Sequence, residues 1–371
     1  MKKSSLVIVT DMPPDTGIGR YAYRLFKEIS KRIYNVSFLY TGYLNLPSEE
    51  GFVNYPQRYK SSNIFQKTFS KYYNFLSAKK VEFLRNSNIH LCGSSYNLAN
   101  YVNDAVATIH DLYYVGIDLK DFISPESFIK KLAFDINTFN THKSLTKVPE
   151  IVTIANTVRK QLKQKTGRDS EVIHHWIDDD IFHKRSKTTA RELLSLPVEK
   201  SILLNVSGCG PNKNLSLLTK IVDKLPKNYV LVKIGCPIKS ERVVNINKLS
   251  ADLYPLIFNA ADMYIHTSTF EGFGIPLIES LGSGLPVISL DTPTAREVLG
   301  DAPVYFKSPT DQDELLTSIY SSVGTEKLKE LSALSISRSR VFSKNTIIDR
   351  YLEFYKKSLP DIDSFIIQDT L

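Results

Sequence analysis

Apolar, β-rich runs of four to eight residues alternate with longer stretches of helical periodicity, and the alternation passes through the chain twice. Such alternation calls for stacked βα units built around parallel sheet. The first series predicts strands at residues 6–10, 36–40, 89–92, 105–109 and 151–154, with helices that include 21–33 and 157–165. The second opens at 202–206 and continues through 229–234, 243–245, 263–266, 286–289 and 304–306. Its helical patterns lie at 215–225, 253–259, 275–282 and 313–323. A polar, charge-dense stretch from 178 to 191 separates the two series and is the expected hinge. The predicted fold class is α/β with two Rossmann-like halves. An N-terminal domain covers 1–180, a C-terminal domain 181–342, and a last segment, 343–371, carries a helix from about 345 to 357.

At 371 residues the chain is long enough for two such domains. Hydrophobic residues make up 42% and charged residues 23%, a globular balance that excludes disordered and collagen-like readings. The apolar runs are strand-sized, well short of the roughly 18–20 residues that span a bilayer. Lys2 and Lys3 open the chain, but the apolar stretch behind them ends at Thr10 and Asp11, too short for a secretory signal. Cys92, Cys209 and Cys236 are odd in number and far apart, with no C-x-x-C. They are expected to be small core residues in a reducing compartment, neither staples nor zinc ligands, which makes the protein most simply cytoplasmic.

Net charge is +8. Residues 1–180 hold 24 Lys+Arg against 18 Asp+Glu, so six of the eight excess charges fall in the first half. An excess of this kind admits nucleic acid, anionic lipid or a phosphorylated substrate as partner, or a merely solvated surface. One basic segment is patterned. Between Lys60 and Arg85, Phe65, Phe69, Tyr72 and Leu76 fall on one helical face among six cations, which suits an anionic membrane surface or a core-packed helix with lysines in water.

The densest motif is Phe270-Glu271-Gly272-Phe273-Gly274-Ile275-Pro276-Leu277-Ile278-Glu279, between a predicted strand and a predicted helix. A loop at a helix N-terminus presents unpaired N–H groups, and glycines let an anion come close to the backbone, so a diphosphate is the natural guest. Two carboxylates near an anion would repel it. Glu271 and Glu279 are therefore expected to accept hydrogen bonds from ribose and sugar hydroxyls. A cation must come from elsewhere, and Lys213, in Gly208-Cys209-Gly210-Pro211-Asn212-Lys213, follows another strand to the same sheet edge.

In the first half, Gly17-Ile18-Gly19-Arg20-Tyr21-Ala22 fits the G-x-G-x-x-A fingerprint in letters only. Six residues part it from its strand, and no acidic residue closes the second strand at Leu39-Tyr40-Thr41-Gly42, so an NAD site is excluded. A glycine loop facing sugar or phosphate, with Arg20 at the helix start, remains. His110, at the end of the strand 105–109, can donate to a sugar hydroxyl or meet developing charge. Asp178-Asp179-Asp180 follows no apolar strand and is read as a solvated loop. His174 and His175 beside it lack a zinc spacing.

Residues 261–306 resemble the hallmark region of the retaining glycosyltransferases of family 4, which have the two-domain GT-B fold. Glu271 and Glu279 match that family's E-x7-E motif with its G-F-G-x-P filling, and Leu285-Pro286-Val287-Ile288, Glu297 and Gly300-Asp301-Ala302 continue the match. Weaker likenesses at Gly17–Tyr21, Thr108–Asp111, Pro211 with Lys213 and Phe342-Ser343 extend it over nearly the whole chain. The resemblance implies two Rossmann-like domains facing a cleft, with the last helix crossing back to the first domain. It implies that Glu279 holds the donor ribose, Glu271 the transferred sugar, and Lys213 the diphosphate. The Gly208 loop, Gly272, Ile275 and the N–H groups of Phe273 and Gly274 would line the donor. His110 would touch the sugar, and Gly17, Gly19 and Arg20 would line the acceptor side.

The implied reaction is retaining transfer of a hexose from GDP-mannose or a UDP-hexose to a glycan or lipid-linked glycan, with no metal, no other cofactor and no nucleic-acid partner. An anionic membrane surface is an expected partner of the basic first half. Two departures stand out. The family often places an arginine beside the lysine, where this chain has Cys209 and Asn212, and its usual N-G-V-D reads His175-Trp176-Ile177-Asp178. A sugar-nucleotide epimerase of the same fold and a non-catalytic nucleotide-sugar-binding partner are the alternatives.

Overall fold

A computed structural model describes residues 5–13, 16–41, 50–54, 84, 87–93, 95–100, 102, 104–112 and 143–367. The chain divides into two compact units, Met1–His174 with Ile348–Leu371, and His175–Ile347. The basic aromatic segment 60–85 lies, Leu84 apart, outside the described residues.

Unit 1 holds a seven-stranded parallel sheet of β1 (Leu6–Thr10), β2 (Val36–Tyr40), β3 (Phe52–Asn54), β4 (Asn88–Cys92), β5 (Ala105–Ile109), β6 (Glu150–Thr153) and β7 (Glu171–Val172). Their order is β3-β2-β1-β4-β5-β6-β7. β1, β2, β4 and β5 are buried along their whole length, as strands covered on both faces must be. Sequence pattern did not reveal the edge strands β3 and β7, which are two or three residues long.

α1 (Gly17–Ile29) starts four residues before the periodicity suggested. Thr16 caps it by accepting a hydrogen bond from Gly19 N at 3.1 Å, so Gly17 and Gly19 form its first turn and are not a loop. Gly19 is required there because a Cβ would collide with the carbonyl of Pro13. α2 (Asn156–Thr166) follows β6 and ends on Gly167 in the left-handed region.

Unit 2 repeats the plan with six parallel strands: β8 (Ser201–Ser207), β9 (Tyr229–Gly235), β10 (Val243–Ile246), β11 (Met263–His266), β12 (Val287–Leu290) and β13 (Val304–Phe306). Their order is β10-β9-β8-β11-β12-β13. Leu203, Leu231, Met263, Ile265, Ile288 and Phe306 pack against α4 (Leu215–Val222) and α8 (Gln312–Tyr320). The remaining helices are α3 (Lys187–Leu193), α5 (Tyr254–Ala260), α6 (Ile275–Gly282), α7 (Pro293–Leu299) and α9 (Lys327–Ser339).

The charge-dense stretch 178–191, read as the hinge, lies in unit 2, whose first residue is His175. Arg185 N donates to Asn259 Oδ1 at 2.7 Å, and the buried Arg191 guanidinium reaches Ala260 O and Asp262 Oδ2. Asp180 is exposed, as its reading as part of a solvated loop requires, and makes a surface ion pair with Lys344 at 3.0 Å.

α10 (Lys344–Ser358) is the last long helix, and its residues from Ile348 onward belong to unit 1. There Tyr351 and Tyr355 enter a buried network. Tyr21 OH meets Tyr351 OH at 2.6 Å and Thr108 Oγ1 at 3.0 Å, while His90 joins Thr108 and Tyr355 through its two ring nitrogens. Among the described residues no helix is long and apolar enough to cross a membrane.

Candidate active site

In both sheets the strand order reverses direction at one point, between β1 and β4 and between β8 and β11. In open α/β sheets, ligands bind in the crevice beyond the strands' C-terminal ends at such a switch point. In unit 2, β8 and β11 deliver Lys213 and Glu271 to that edge.

After β8 the chain runs through Gly208–Gly210 into a single 3-10 turn, Pro211–Lys213, closed by Asn214 at φ +49°. Hydrogen bonds from backbone and side chains tie this turn to the loop after β11. Thr269 N donates to Asn212 O at 2.8 Å, Thr267 Oγ1 to Lys213 O at 2.8 Å, and Asn212 Nδ2 to Phe270 O at 2.8 Å. The side chains follow suit, with Lys213 Nζ at 2.6 Å from Glu271 Oε1. Both are about four-fifths buried, so the pair is shielded from bulk water but within reach of a ligand. A Cβ on Gly208 would meet nothing within 4 Å, so the space over that part of the loop is open.

The second loop ends at Gly274, φ +88°, from which α6 starts with Ile275 and Pro276. No side chain caps this helix and its first turn holds no acid, so its N-terminal dipole is not offset locally. Phe273 is buried against the rings of His175 and Phe342, which pins the loop by its side chain and leaves only its backbone for a ligand. Glu271 O accepts from Thr294 Oγ1 at 3.0 Å. One turn into α6, Glu279 is 4% exposed, and its Oε2 accepts from Tyr254 OH at 2.8 Å. His266, at the end of β11, is buried; burial is the main cause that takes its pKa down to about 4, so it is neutral at pH 7.

Three contributors escaped sequence reasoning. Tyr254 carries no pattern that marks it. Lys233 did leave a signal, a lone charge within the otherwise apolar run of β9. The third is covalent: Cys209 and Cys236 form a disulfide, Cα–Cα 5.0 Å, which corrects their reading as free core thiols. The physical reason is register. Ser207 pairs with Gly235, so the residues just past the two strand ends fall side by side although 27 positions apart in sequence. Cys92 is the buried free thiol expected of it.

In unit 1, His110 follows β5, is buried, and sets its ring edge-on to Tyr21 at 4.5 Å. Burial takes its pKa down to about 3, so it acts as a neutral hydrogen-bonding group. Arg20 sits in the first turn of α1 with Gly17 and Gly19. Among the described residues no group of three or more His, Cys, Asp or Glu is arranged to hold a metal.

Residues 186–330 match the family model described as Glycosyl transferases group 1. Over 67% of this chain and 68% of the relative, the sequence is 23% identical to the O-antigen chain mannosyltransferase RfbU of Salmonella typhimurium. The fold superposes on sucrose-phosphate synthase of Thermosynechococcus elongatus with a TM-score of 0.77 at 14% identity, covering 95% of this chain and 98% of that one. It also superposes on Anabaena HepE, solved with UDP and glucose, at 0.73 and 13% identity over 95% and 99%. With a group 1 domain on the second of two Rossmann-like sheets, the chain is a glycosyltransferase of the GT-B fold.

Proposed function

We propose that the chain moves a hexose from a nucleotide-diphosphate sugar to a glycan or lipid-linked glycan, with retention of configuration and without a metal. The observation that carries this reading is the edge of unit 2's sheet, where the segments that follow the neighbouring strands β8 and β11 bring Lys213, the uncapped start of α6 and two carboxylates eight residues apart in sequence. Lys213 and the α6 N–H groups offset the charge that grows on the diphosphate as the bond from the anomeric carbon to its oxygen breaks. The acceptor hydroxyl forms the new bond from the same face, and its proton ends on the departing diphosphate. Glu279, oriented by Tyr254, receives the ribose hydroxyls, and Glu271, oriented by Lys213, receives those of the sugar. His110 contributes a neutral hydrogen bond to the sugar, while Gly17, Gly19 and Arg20 border the acceptor.

The likeness to a mannosyltransferase favours GDP-mannose as donor, and the UDP and glucose in HepE favour a UDP-hexose. The setting we propose is cytoplasmic and peripheral on a membrane through the basic first half, a reading to which the cysteines no longer contribute, since Cys209 and Cys236 are bonded. Flotation with anionic vesicles at low salt tests that part, and absence of binding removes it.

Calorimetry with GDP, UDP, ADP and TDP, each with and without magnesium, tests the site. One nucleotide should bind independently of magnesium, and Glu279→Ala should abolish that binding. No binding to the folded wild type would overturn the donor site, and binding without transfer or hydrolysis by the purified chain would make it a non-catalytic nucleotide-sugar-binding partner. An epimerised sugar nucleotide formed without acceptor would make it an epimerase.

A further inference from the structure

Lys233 lies on β9, where the first six residues are all buried, and its own exposure is 0%. A charge so placed must be held by fixed dipoles if it is to remain a charge. Its Nζ donates to Ser207 O and to Ile234 O, each at 2.7 Å. These carbonyls sit at the C-terminal ends of β8 and β9, where the ladder between the two strands stops. Ser207 O also accepts from Cys236 N at 3.0 Å, and Gly235, at φ +93°, has no room for a Cβ because this same carbonyl occupies the space. One residue beyond Ser207 begins the loop that carries Lys213, and Cys209 in that loop is bonded to Cys236. The end of β9 therefore grips the start of the loop three times, through an ammonium, an N–H and a disulfide.

We infer that Lys233 is a positioning residue for diphosphate recognition: it fixes the Ser207 carbonyl, and with it the course of the Gly208–Lys213 loop, and it lays a second positive charge beneath that loop. The inference rests on the proposed donor site. Burial, and then repulsion from Lys213, lower the Lys233 pKa to about 8. A strand residue that merely filled space would be served by an apolar side chain, and no carbonyl would need to turn toward it.

The test compares UDP and GDP with uridine and guanosine, using whichever base binds. Lys233→Met should weaken the nucleoside diphosphate about tenfold and the nucleoside less than twofold, while Lys233→Arg, which keeps charge and donors, restores at least half of the loss in free-energy terms. Equal weakening of both ligands, or unchanged diphosphate affinity in Lys233→Met, overturns the inference. Should Lys233→Met fail to fold, Lys233→Gln keeps a donor without the charge and is held to the same two outcomes. Lys213→Ala separates the failures. If it too leaves diphosphate affinity unchanged, the donor site falls and Lys233 with it. If it loses affinity while Lys233→Met does not, the Lys233 inference alone falls.

Discussion

Unit 1 and unit 2 share one strand order, to which unit 1 adds an edge strand, and they differ in whether the groups near its reversal are neutral or charged. Each carries parallel strands in a 3-2-1-4-5-6 sequence around one reversal of direction. Near the reversal in unit 1 stand Tyr21, His90, Thr108, His110, Tyr351 and Tyr355, a buried and neutral set in which burial pushes the tyrosine pKa values up and the histidines down to about 3. The corresponding edge in unit 2 carries Lys213 paired with Glu271, Glu279 braced by Tyr254, and an uncapped helix start. Strand order provides the crevice, and the residues placed on it decide whether it can manage a dianion. Unit 2 bears the cation and the uncapped helix start that the proposed function assigns to a dianion, whereas unit 1 bears neutral hydrogen-bonding groups.

The contrast is broken or kept most sharply by pairing Lys213→Ala with His110→Ala. Loss of a preorganised cation aimed at a leaving diphosphate should lower turnover by about 10²–10³-fold. Removing one neutral hydrogen bond from His110 should cost about 1 kcal/mol, roughly fivefold in kcat/KM. Steady-state kinetics decide it. Comparable losses would mean that charge is handled by both units and that the division drawn above is wrong.

Much of this was legible beforehand because parallel strands are buried on both faces and write themselves as continuous apolar runs. β1, β2, β5, β11 and β13 lie where the pattern put them. What escaped was settled by register or by caps. The Cys209–Cys236 bond exists because Ser207 lies opposite Gly235, a pairing no linear pattern encodes. α1 starts at Gly17 because Thr16 caps it, and the two glycines hid the first turn as a loop. α7 offered readable signs in Thr292 and Pro293, its cap and first residue, and was still missed. The sequence motif marked Glu271 and Glu279, but Tyr254, which holds the Glu279 carboxylate, bears no pattern that could announce it, and Lys233 shows only as a lone charge in the apolar run of β9.

Acid sharpens the comparison next. His90 and His110 in unit 1 have folded pKa values of about 3, and His266 in unit 2 about 4, all depressed mainly by burial. The unfolded chain takes up these protons near pH 6.5 while the folded chain refuses them. Stability is therefore present above pH 6.5 and is lost as pH falls below it, at up to about 1.4 kcal/mol per pH unit for each histidine. Unit 1 bears two of the three, so a calorimetric scan at pH 5.5 should show its transition lowered further from the pH 7.5 value than that of unit 2. His90→Gln should flatten the slope of unit 1 whatever it does to the absolute melting point. An unchanged slope would mean that His90 is not the buried neutral group its contacts imply.

The smallest expected effect separates the two functions within unit 2 itself. Tyr254→Phe removes the hydroxyl that holds Glu279 Oε2 and nothing else from the site, which should cost about 1 kcal/mol, or fivefold in affinity. If Glu279 receives ribose, that loss must appear with the bare nucleoside as fully as with the nucleoside diphosphate, because the ribose is common to both. Lys213→Ala should do the reverse, weakening only the diphosphate. A Tyr254→Phe penalty confined to the diphosphate would place Glu279 near phosphate after all, where a carboxylate so braced has no electrostatic reason to be.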